Sequence, residues 1–413
     1  MYRLKHVEIS GLWGERTVKF DLKSDVNFLI GANGSGKTTV VNVLAGALAA
    51  NRAQLQRLPF HRTTMVLVNE SGDGEATLDI QRQVAEAGVS IRYAVTEPGL
   101  PEAVHVLVPR NRLLRPAERG AQRESALQHI TRLVNMRWLS VHRAPVKVEE
   151  GESESYESTV DIKLAKLSEE LVKYASVLSN KLNTRLWRFF DTVFLSLLDQ
   201  PSFASVSDAA EDLDVNEERQ TIGKMFETML LEREQFEPKM NAFMQMWERA
   251  VLKQKEGEQP LLDEVGAMFA MTRLRMLEHE WRLMKLDQEQ IEKPFDDFRN
   301  IVNRLFKRKS VELNPRNELT AKLENGEPFD LKNLSSGEKQ LVIILGEALL
   351  QHGAPSVYLA DEPELSLHVE WQERLVSSIR ELNSGAQLVF ATHSPDIVSE
   401  YGDRVIDMEA VLQ

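Results

Sequence analysis

The sequence predicts an α/β fold in which both ends of the chain build one lobe and a helical segment is inserted between them. Near the N-terminus, a short apolar strand, a glycine-rich turn and an apolar helix follow one another over residues 26–50. Alternation of apolar and polar residues from 63 to 108 predicts several strands. Helical periodicity dominates residues 162–308, and strand patterns return from residue 310 onwards.

Strand patterns lie on both sides of the glycine-rich turn. Residues 4–9 and 17–22 alternate as half-buried strands do, and residues 26–30 (VNFLI) indicate a short buried strand. After the turn, further strand-like runs are separated by turn signals such as the SGDG of residues 71–74. These runs are residues 64–68, 76–80, 90–95 and 104–108. We therefore expect a small antiparallel sheet packed beside the glycine-rich turn.

The glycine-rich turn has the sequence GANGSGKTT, residues 31–39. Its glycines allow backbone N–H groups to close around phosphate oxygens, and the following helix N-terminus adds partial positive charge. Lys37 is expected to reach the terminal phosphates of a nucleotide, and the hydroxyl of Thr38 to ligate Mg²⁺. Glycine turns between a strand and a helix are common, but this spacing in this context predicts nucleotide binding.

The composition indicates an ordinary globular chain. Of its 413 residues, 42% are hydrophobic and 27% are charged, and the net charge of −13 argues against coating of nucleic acid by bulk charge. The sequence has no cysteine, which excludes disulfides and cysteine-ligated metal centres. No apolar run has the length of a membrane span, and the N-terminus lacks a signal-peptide pattern. We expect a cytoplasmic protein without membrane contact.

Arginines cluster between the predicted sheet and the helical segment. They are Arg110, Arg112, Arg115, Arg119 and Arg123, with few acidic residues between them. Such a run can contact the phosphates of DNA or of a nucleotide, but a solvated helix face is more common and is the interpretation we favour. Residues 136–141 indicate a buried strand. Residues 147–159 are rich in Glu and Ser, which predicts an exposed loop.

The central segment has the pattern of packed helices. From 164 to 182, leucine and tyrosine recur every three or four residues, which places them on one helix face. The helices are expected to be interrupted near Gln200-Pro201, at residues 257–260 and at Lys293-Pro294. The heptads are too few for an extended coiled coil. We predict a compact helical insertion, in which methionine and aromatic stripes form a core rather than a cofactor site.

Three further motifs follow the helical segment. Residues 334–340 (LSSGEKQ) form a small-residue turn that opens a helix, a geometry suited to anions. Residues 357–363 (VYLADEP) indicate a buried strand that ends in Asp361, which can hold Mg²⁺, and Glu362, which can polarise water. His393 ends another strand. Acidic pairs are usually solvated and a strand-end histidine is usually a polar cap, but the order of all these motifs favours function.

Together these motifs resemble those of soluble ATP-binding-cassette (ABC) ATPases, as in Rad50, SMC proteins and the ATPase part of the OLD family. GANGSGKT resembles the Walker A motif, LSSGE the signature motif, VYLADE the Walker B motif and ATHSP the switch-histidine region. DEPELSLHVEWQ is similar to a run of OLD-like and anti-phage-defence ATPases. The resemblance implies an ABC-type ATPase lobe, with a mixed sheet around a P-loop core, an antiparallel β subdomain and a helical insertion. The resemblance covers about residues 1–110 and 310–410. We expect the lobe to comprise residues 1–160 and 310–413, and the helical insertion predicted from periodicity to comprise residues 161–309.

The resemblance also implies that the chain binds ATP and Mg²⁺ at a site shared between two subunits. Residues implied to cradle the phosphates are Asn33, Gly34, Ser35, Gly36, Lys37, Thr38 and Thr39. Those implied to hold Mg²⁺ are Thr38 and Asp361. Glu362 would be the catalytic base, Ser335 and Gly337 would contact the γ-phosphate of ATP bound to another subunit, and His393 would sense that phosphate. The minimum assembly is a homodimer, or a higher homo-oligomer, with composite ATP sites.

Two positions depart from the pattern of transporter ATPases. Where transporters have an aspartate in the loop after Walker B, this chain has Leu367-His368, so His368 is a candidate for that contact across the subunit interface. A glutamine-containing loop is not assigned, because Gln81 lies in a strand pattern and residues 141–143 contain no glutamine.

Several functional classes compete. A transporter subunit is disfavoured because most of the chain separates Lys37 from Ser335, and an OLD-type nuclease because the sequence ends soon after His393 without a histidine cluster for metal. We expect a slow or regulated ATPase that is the sensor or scaffold of an anti-phage defence system of the PARIS or Septu type. A separate nuclease or toxin would be its effector, and a phage protein its trigger. The alternative is a Rad50- or SMC-like DNA-repair ATPase that binds DNA ends through Arg110–Arg123.

Overall fold

The structure is a computed structural model with two compact units. It describes residues 1–85, 88–107, 116–139, 159–198, 215–229, 232–314, 316–351 and 353–413. For residues 85, 116–123 and 215–217 it describes the backbone only. The first unit comprises residues 1–174 and 294–413, and the second comprises residues 175–293. Both division points lie within the segment predicted as the insertion.

Antiparallel strands form one sheet of the first unit. They are β1 (Tyr2–Leu12), β2 (Arg16–Asp21), β4 (Arg62–Asn69), β5 (Glu75–Ala85), β6 (Gly88–Thr96) and β7 (Ala103–Leu107). Their order across the sheet is β2-β1-β4-β5-β6-β7. The antiparallel sheet predicted from residues 63–108 is confirmed, and it is larger than predicted because β1 pairs with both β2 and β4.

Parallel strands form a second sheet in the same unit. They are β3 (Val26–Ile30), β8 (Met136–Trp138), β12 (Ser356–Asp361), β13 (Ala386–Ala391) and β14 (Val405–Asp407), in the order β14-β3-β13-β12-β8. Asp361 pairs with Ala391, and Ala391 pairs with Leu29, so β3, β13 and β12 end at the same edge. Ligands of open α/β sheets bind at the carboxyl ends of such strands. The predicted α/β lobe is confirmed, with its strands divided between a parallel and an antiparallel sheet.

A small third sheet precedes the turn at residues 334–340, which we call the signature turn. Its antiparallel strands are β9 (Lys309–Leu313), β10 (Leu319–Leu323) and β11 (Pro328–Phe329). The first two confirm the strands predicted at 310–313 and 319–323. A short 3₁₀ helix at Leu331–Asn333 then leads into the turn.

Helix α1 carries the core of the first unit. The helices of this unit outside the long helical segment are α1 (Lys37–Leu48), α2 (Arg52–Leu55), α3 (Pro116–Leu133), α8 (Ser336–Leu349), α9 (Val369–Leu382), α10 (Pro395–Val398) and α11 (Met408–Val411). Val40, Val41 and Leu44 of α1 are fully buried in one cluster with Leu67 of β4 and Val389 of β13. Burial of each such side chain contributes roughly 1.5–3 kcal/mol. This packing fixes α1, and with it the glycine-rich loop that precedes it.

The central segment is helical, as predicted. Its helices are α4 (Thr159–Ser196), α5 (Val215–Thr228), α6 (Arg233–Lys255) and α7 (Leu262–Leu305). In the second unit, Met225, Met244, Trp247, Met268 and Met271 are buried in one cluster, which confirms that the methionine and aromatic stripes form a core. None of the helices in the described part of the chain combines the length and apolar character that crossing a membrane requires.

One expected helix break is wrong. Helix α7 continues through Pro294, whereas the break expected near residues 257–260 lies between α6 and α7. A proline inside a helix removes one backbone hydrogen bond and crowds the preceding turn. Phe298 and Ile301, which follow Pro294 by about one and two turns, are fully buried. Their packing holds the helix together across the proline.

Candidate functional site

The glycine-rich loop joins β3 to α1. Gly34 and Gly36 have positive φ values of 87° and 99°, which a residue with a side chain adopts only with strain. Lys37 begins α1, and its Nζ donates hydrogen bonds to the carbonyl oxygens of Gly31 at 2.7 Å and Ala32 at 3.1 Å. The lysine thus closes the loop on itself, with its ammonium group beside the backbone that would surround a phosphate.

The charge of Lys37 depends on its surroundings. The residue is only 5% exposed, whereas Asn33 and Gly34 at the tip of the loop are exposed. Burial lowers the pKa of Lys37, and the carboxylates of Glu362, Asp361 and Glu409 act in the opposite direction. A bound anion would favour the charged form of this lysine in the same way.

Thr38 and Asp361 bring the two ends of the chain together. Oγ1 of Thr38 donates a hydrogen bond of 2.9 Å to Oδ1 of Asp361, although the two residues are 323 positions apart. Asp361 is the last residue of β12 and is 3% exposed. Hydroxyl and carboxylate oxygens are the hard ligands that Mg²⁺ prefers. The donor set and the proximity of these two oxygens therefore fit a magnesium ion.

Glu362 follows Asp361 at the sheet edge. Its φ is 50°, and its N–H donates a hydrogen bond of 2.8 Å to the carbonyl oxygen of Ala391. Positive φ is uncommon for a residue with a side chain, and such strained positions cluster at functional sites. Glu362 is partly exposed, unlike Asp361. The chain thus presents two adjacent carboxylates, one buried beside Thr38 and one partly exposed.

The switch-histidine region lies at the same edge. The N–H of Thr392, directly after β13, donates a hydrogen bond of 3.2 Å to the carbonyl oxygen of Leu29 in β3. His393 is exposed, and its backbone N–H donates to Oε1 of Glu364 at 3.0 Å. The segment that carries His393 is therefore attached both to the strand before the glycine-rich loop and to the turn after Asp361.

The signature turn forms a capping box at the start of α8. Oγ of Ser335 accepts from the N–H of Glu338 at 3.4 Å, and Oε2 of Glu338 accepts from the N–H of Ser335 at 2.8 Å. Glu338 also pairs with Lys309 at 2.9 Å. Burial alone would raise the pKa of Glu338, but hydrogen bonds from Lys309 and Ser335 lower it below its usual value. This capping fixes the turn that the sequence predicts to face an anion.

Gly337 lies against the turn that follows the two carboxylates. A Cβ at Gly337 would come within 2.3 Å of the carbonyl oxygen of Ser366, a residue whose φ is 71°. This close approach explains why glycine occupies the position. It also brings the start of α8 into direct contact with the turn after Asp361 in the same chain.

Gly337→Ala should destabilise the first unit by about 1–3 kcal/mol, the usual cost of extra atoms in a packed site. Thermal unfolding of the purified variant measures this effect. Gly266→Ala in α7 is the control, because a Cβ there meets nothing within 4 Å. A Gly337→Ala variant as stable as wild type would contradict the contact with Ser366.

Trp13 belongs to this region although no sequence signal indicates it. A Cβ at Gly36 would lie 2.6 Å from Cη2 of Trp13, so the indole ring packs directly on the glycine-rich loop. Trp13 has a φ of 48° and is 44% exposed. An exposed aromatic ring beside a phosphate loop is suited to stacking with a base. A single tryptophan between two strands has no periodicity, and only the turn formed with Gly14 could have drawn attention to it.

Glu409 is a second residue that the sequence does not indicate. Its Oε1 accepts a hydrogen bond of 3.2 Å from the backbone N–H of Ala32 in the glycine-rich loop. It lies in α11, directly after β14, and elements of four and three residues are too short for a recognisable pattern. This carboxylate occupies a loop N–H of the kind that would otherwise be available to a phosphate.

His368 and Gln81, the two departures from the transporter pattern, have local partners. His368 caps α9, and its Nδ1 accepts from the N–H of Glu370 at 3.4 Å. Gln81 lies in β5, and its Nε2 donates to Asp79 at 3.1 Å. A contact of His368 across a subunit interface stays a prediction.

Some sequence predictions lie outside the described residues. These are the roles of Arg110, Arg112 and Arg115, the last two residues of the strand predicted at 136–141, all but the last residue of the loop predicted at 147–159, and the helix break expected near Gln200-Pro201. The side chains of Arg119 and Arg123 on α3 are outside them as well.

A protein-family comparison matches residues 180–399, more than half of the chain. The family is described as "AAA domain, putative AbiEii toxin, Type IV TA system". The matched region includes the signature turn, Asp361, Glu362 and His393, whereas the glycine-rich loop precedes it.

Among curated proteins, a 74-residue stretch is 38% identical to a Caldanaerobacter subterraneus subsp. tengcongensis protein described as "Putative ABC transporter ATP-binding protein". That stretch is 18% of this chain and 29% of the relative, so less than a third of the relative's length is matched.

The chain is also similar to solved SMC head structures. One is the Pyrococcus furiosus Smc head with an extended coiled coil bound to the C-terminal domain of ScpA, at 15% identity and a TM-score of 0.43, over 96% of this chain and 91% of that chain. A second is the Pyrococcus yayanosii Smc head with a coiled coil and joint, at 14% identity and a TM-score of 0.39, over 96% and 93%.

Proposed function

We propose an ATPase function, from the premise that this chain belongs to the AAA-domain family whose model spans residues 180–399. The observation that carries the proposal is the 2.9 Å hydrogen bond between Thr38 and Asp361, which joins the glycine-rich loop to the strand that ends in two carboxylates. Binding and hydrolysis of ATP by the purified chain, with and without Mg²⁺, test it. Asp361→Asn should lose Mg²⁺-dependent hydrolysis. Wild-type turnover that is unaffected by chelation of Mg²⁺ would contradict the site.

The residues of the site have separate roles in this proposal. The loop N–H groups and Lys37 bind the phosphates, and Thr38 and Asp361 hold Mg²⁺. When bound, Mg²⁺ would neutralise charge that develops on the phosphates. Glu362, at the edge and partly exposed, accepts a proton from the attacking water, and His393 contacts the γ-phosphate.

We propose further that the ATP site is completed by a second copy of the chain. The capping box orients Ser335, which is exposed at the start of α8, whereas Gly337 is buried against the turn after Glu362. The N-terminus of α8 favours an anion at Ser335. Light scattering after gel filtration should report a dimer when Mg²⁺-ATP is bound. A monomer under saturating Mg²⁺-ATP would contradict the composite site.

At the cellular level, we propose a sensor or scaffold subunit of an antiviral system that restrains a separate nuclease or toxin. Support comes from the family description, which names a toxin and a type IV toxin–antitoxin system. Phage plaque assays with this gene alone, and with its neighbouring gene, test the proposal. Restriction of phage by this chain alone would contradict the two-component arrangement. The DNA-repair alternative rests on the five arginines of Arg110–Arg123. The structure describes none of their side chains, so no described contact favours that alternative.

Trp13→Ala should weaken ATP binding by about 1–3 kcal/mol, or roughly 5- to 150-fold in Kd, because the base loses a stacking surface. Trp13→Tyr retains an aromatic ring and should stay close to wild type. Calorimetry with ATP measures the effect. Inorganic triphosphate has no base and should bind both variants equally, so a parallel loss of triphosphate binding would instead indicate damage to the loop.

A further inference from the structure

The turn after Glu362 contains a buried carboxylate with no role in the proposed chemistry. Glu364 is 8% exposed. Its Oε1 accepts two hydrogen bonds, from Oγ1 of Thr392 at 2.6 Å and from the backbone N–H of His393 at 3.0 Å. Both donors lie directly after β13, so one oxygen of Glu364 holds the segment that presents His393.

The other oxygen of Glu364 is buried and, among the described residues, has no hydrogen-bond partner. An unpaired carboxylate oxygen away from water is unfavourable. The chain nevertheless has a carboxylate at this position, and in the described part of the chain its hydrogen bonds are those from Thr392 and His393. A second short link runs in parallel, because the N–H of Glu362 bonds to Ala391.

The same turn is attached on its other side to α8. Gln340 is 1% exposed, and its Nε2 donates a hydrogen bond of 2.8 Å to the carbonyl oxygen of Pro363. The carbonyl of Ser366 lies against Gly337. The backbone on both sides of Glu364 is therefore fixed by contacts with α8. This fixes the position from which the carboxylate of Glu364 accepts hydrogen bonds from Thr392 and His393.

We propose that Glu364 is a positioning residue that fixes His393 relative to Glu362 through Thr392 and the backbone of His393. The inference rests on the proposed ATPase function, in which His393 contacts the γ-phosphate. Loss of the link should slow turnover while leaving ATP binding to the glycine-rich loop intact, because the loop has its own contacts through Lys37 and α1.

Substitutions at Glu364 test the link. Glu364→Ala removes the acceptor and should lower kcat about tenfold or more, the effect of losing a hydrogen bond to a charged group. Glu364→Gln keeps an oxygen for Thr392 and His393 and replaces only the unpaired oxygen, so kcat should return to nearly the wild-type value. The KM for ATP should stay close to wild type in both variants.

Substitutions at Thr392 provide a matched pair that preserves the size of the site. The hydroxyl of Thr392 donates to Glu364 and also accepts from the N–H of Ser394 at 2.9 Å. Thr392→Val removes both bonds and should lower kcat, whereas Thr392→Ser retains the hydroxyl and should not. Because both changes act on one link, Glu364→Ala combined with Thr392→Val should cost less than the product of the single effects. This pair decides the question if Glu364→Ala does not fold.

Three kinetic results would each overturn the inference: unchanged kcat in Glu364→Ala and Thr392→Val, a Glu364→Gln variant as slow as Glu364→Ala, or a raised KM with normal kcat. A wild-type chain without ATPase activity would contradict the proposed function instead. The link is then measured by amide hydrogen exchange in the peptide containing His393, without nucleotide. Exchange there should rise in Glu364→Ala and not in Glu364→Gln, and equal exchange in all three proteins would overturn the inference independently.

Discussion

Lys37→Ala is expected to abolish ATP binding at physiological concentrations. The ammonium group of Lys37 donates hydrogen bonds to the carbonyl oxygens of Gly31 and Ala32, in the loop that would surround the phosphates. Hydrogen bonds to charged groups contribute about 1.5–3 kcal/mol each. Loss of two such bonds to phosphate oxygens weakens binding by about 100-fold or more. Calorimetric titration with ATP measures the change.

The control for Lys37→Ala removes a lysine from the same unit without touching the loop. Lys19 lies on β2, is exposed and pairs with Glu8 at 3.3 Å, so Lys19→Ala should bind ATP as wild type does. Thermal unfolding without nucleotide should confirm that both variants are folded. An affinity within twofold of wild type for Lys37→Ala would show that the phosphates bind elsewhere.

The local parts of the site could be predicted because short sequence patterns specify them. The strand, the glycine-rich turn and the helix at residues 26–48 are each determined by residues close together in the sequence. The same is true of the turn at residues 334–340 that opens α8, where Ser335 and Glu338 form a capping box. The resemblance implies that Thr38 and Asp361 share a magnesium site. The structure brings their side chains within 2.9 Å, and magnesium binding by the pair stays a prediction. Such long-range agreement could be expected only from the resemblance, since no local pattern encodes it.

Other parts could not be predicted because they depend on tertiary packing. Trp13 reaches Gly36 from a turn, and Glu409 reaches Ala32 from the four-residue helix α11. Neither residue belongs to a periodic sequence pattern that would indicate its position in the fold. Pro294 shows the reverse case, in which a strong local signal for a helix end is overruled by the burial of Phe298.

Glu362→Gln should leave ATP binding nearly intact and reduce hydrolysis by about 10²–10⁴-fold, the usual contribution of a general base. Glutamine has the same length as glutamate and retains the backbone bond to Ala391, so the strained turn should persist. The amide cannot accept the proton of the attacking water. Phosphate release under saturating Mg²⁺-ATP measures turnover, and calorimetry measures binding.

The same variant tests whether ATP joins two copies of the chain. If hydrolysis is what opens a composite site, Glu362→Gln should accumulate as a dimer with Mg²⁺-ATP, whereas wild type should return to its starting state as ATP is consumed. Glu373→Gln is the matched control, because Glu373 is exposed on α9 and the same change of charge there should alter neither rate nor assembly. Normal turnover in Glu362→Gln would contradict the assignment of the base. Slow turnover without a persistent dimer would keep the base and contradict the composite site, so the two measurements separate the chemistry of Glu362 from the assembly it would control.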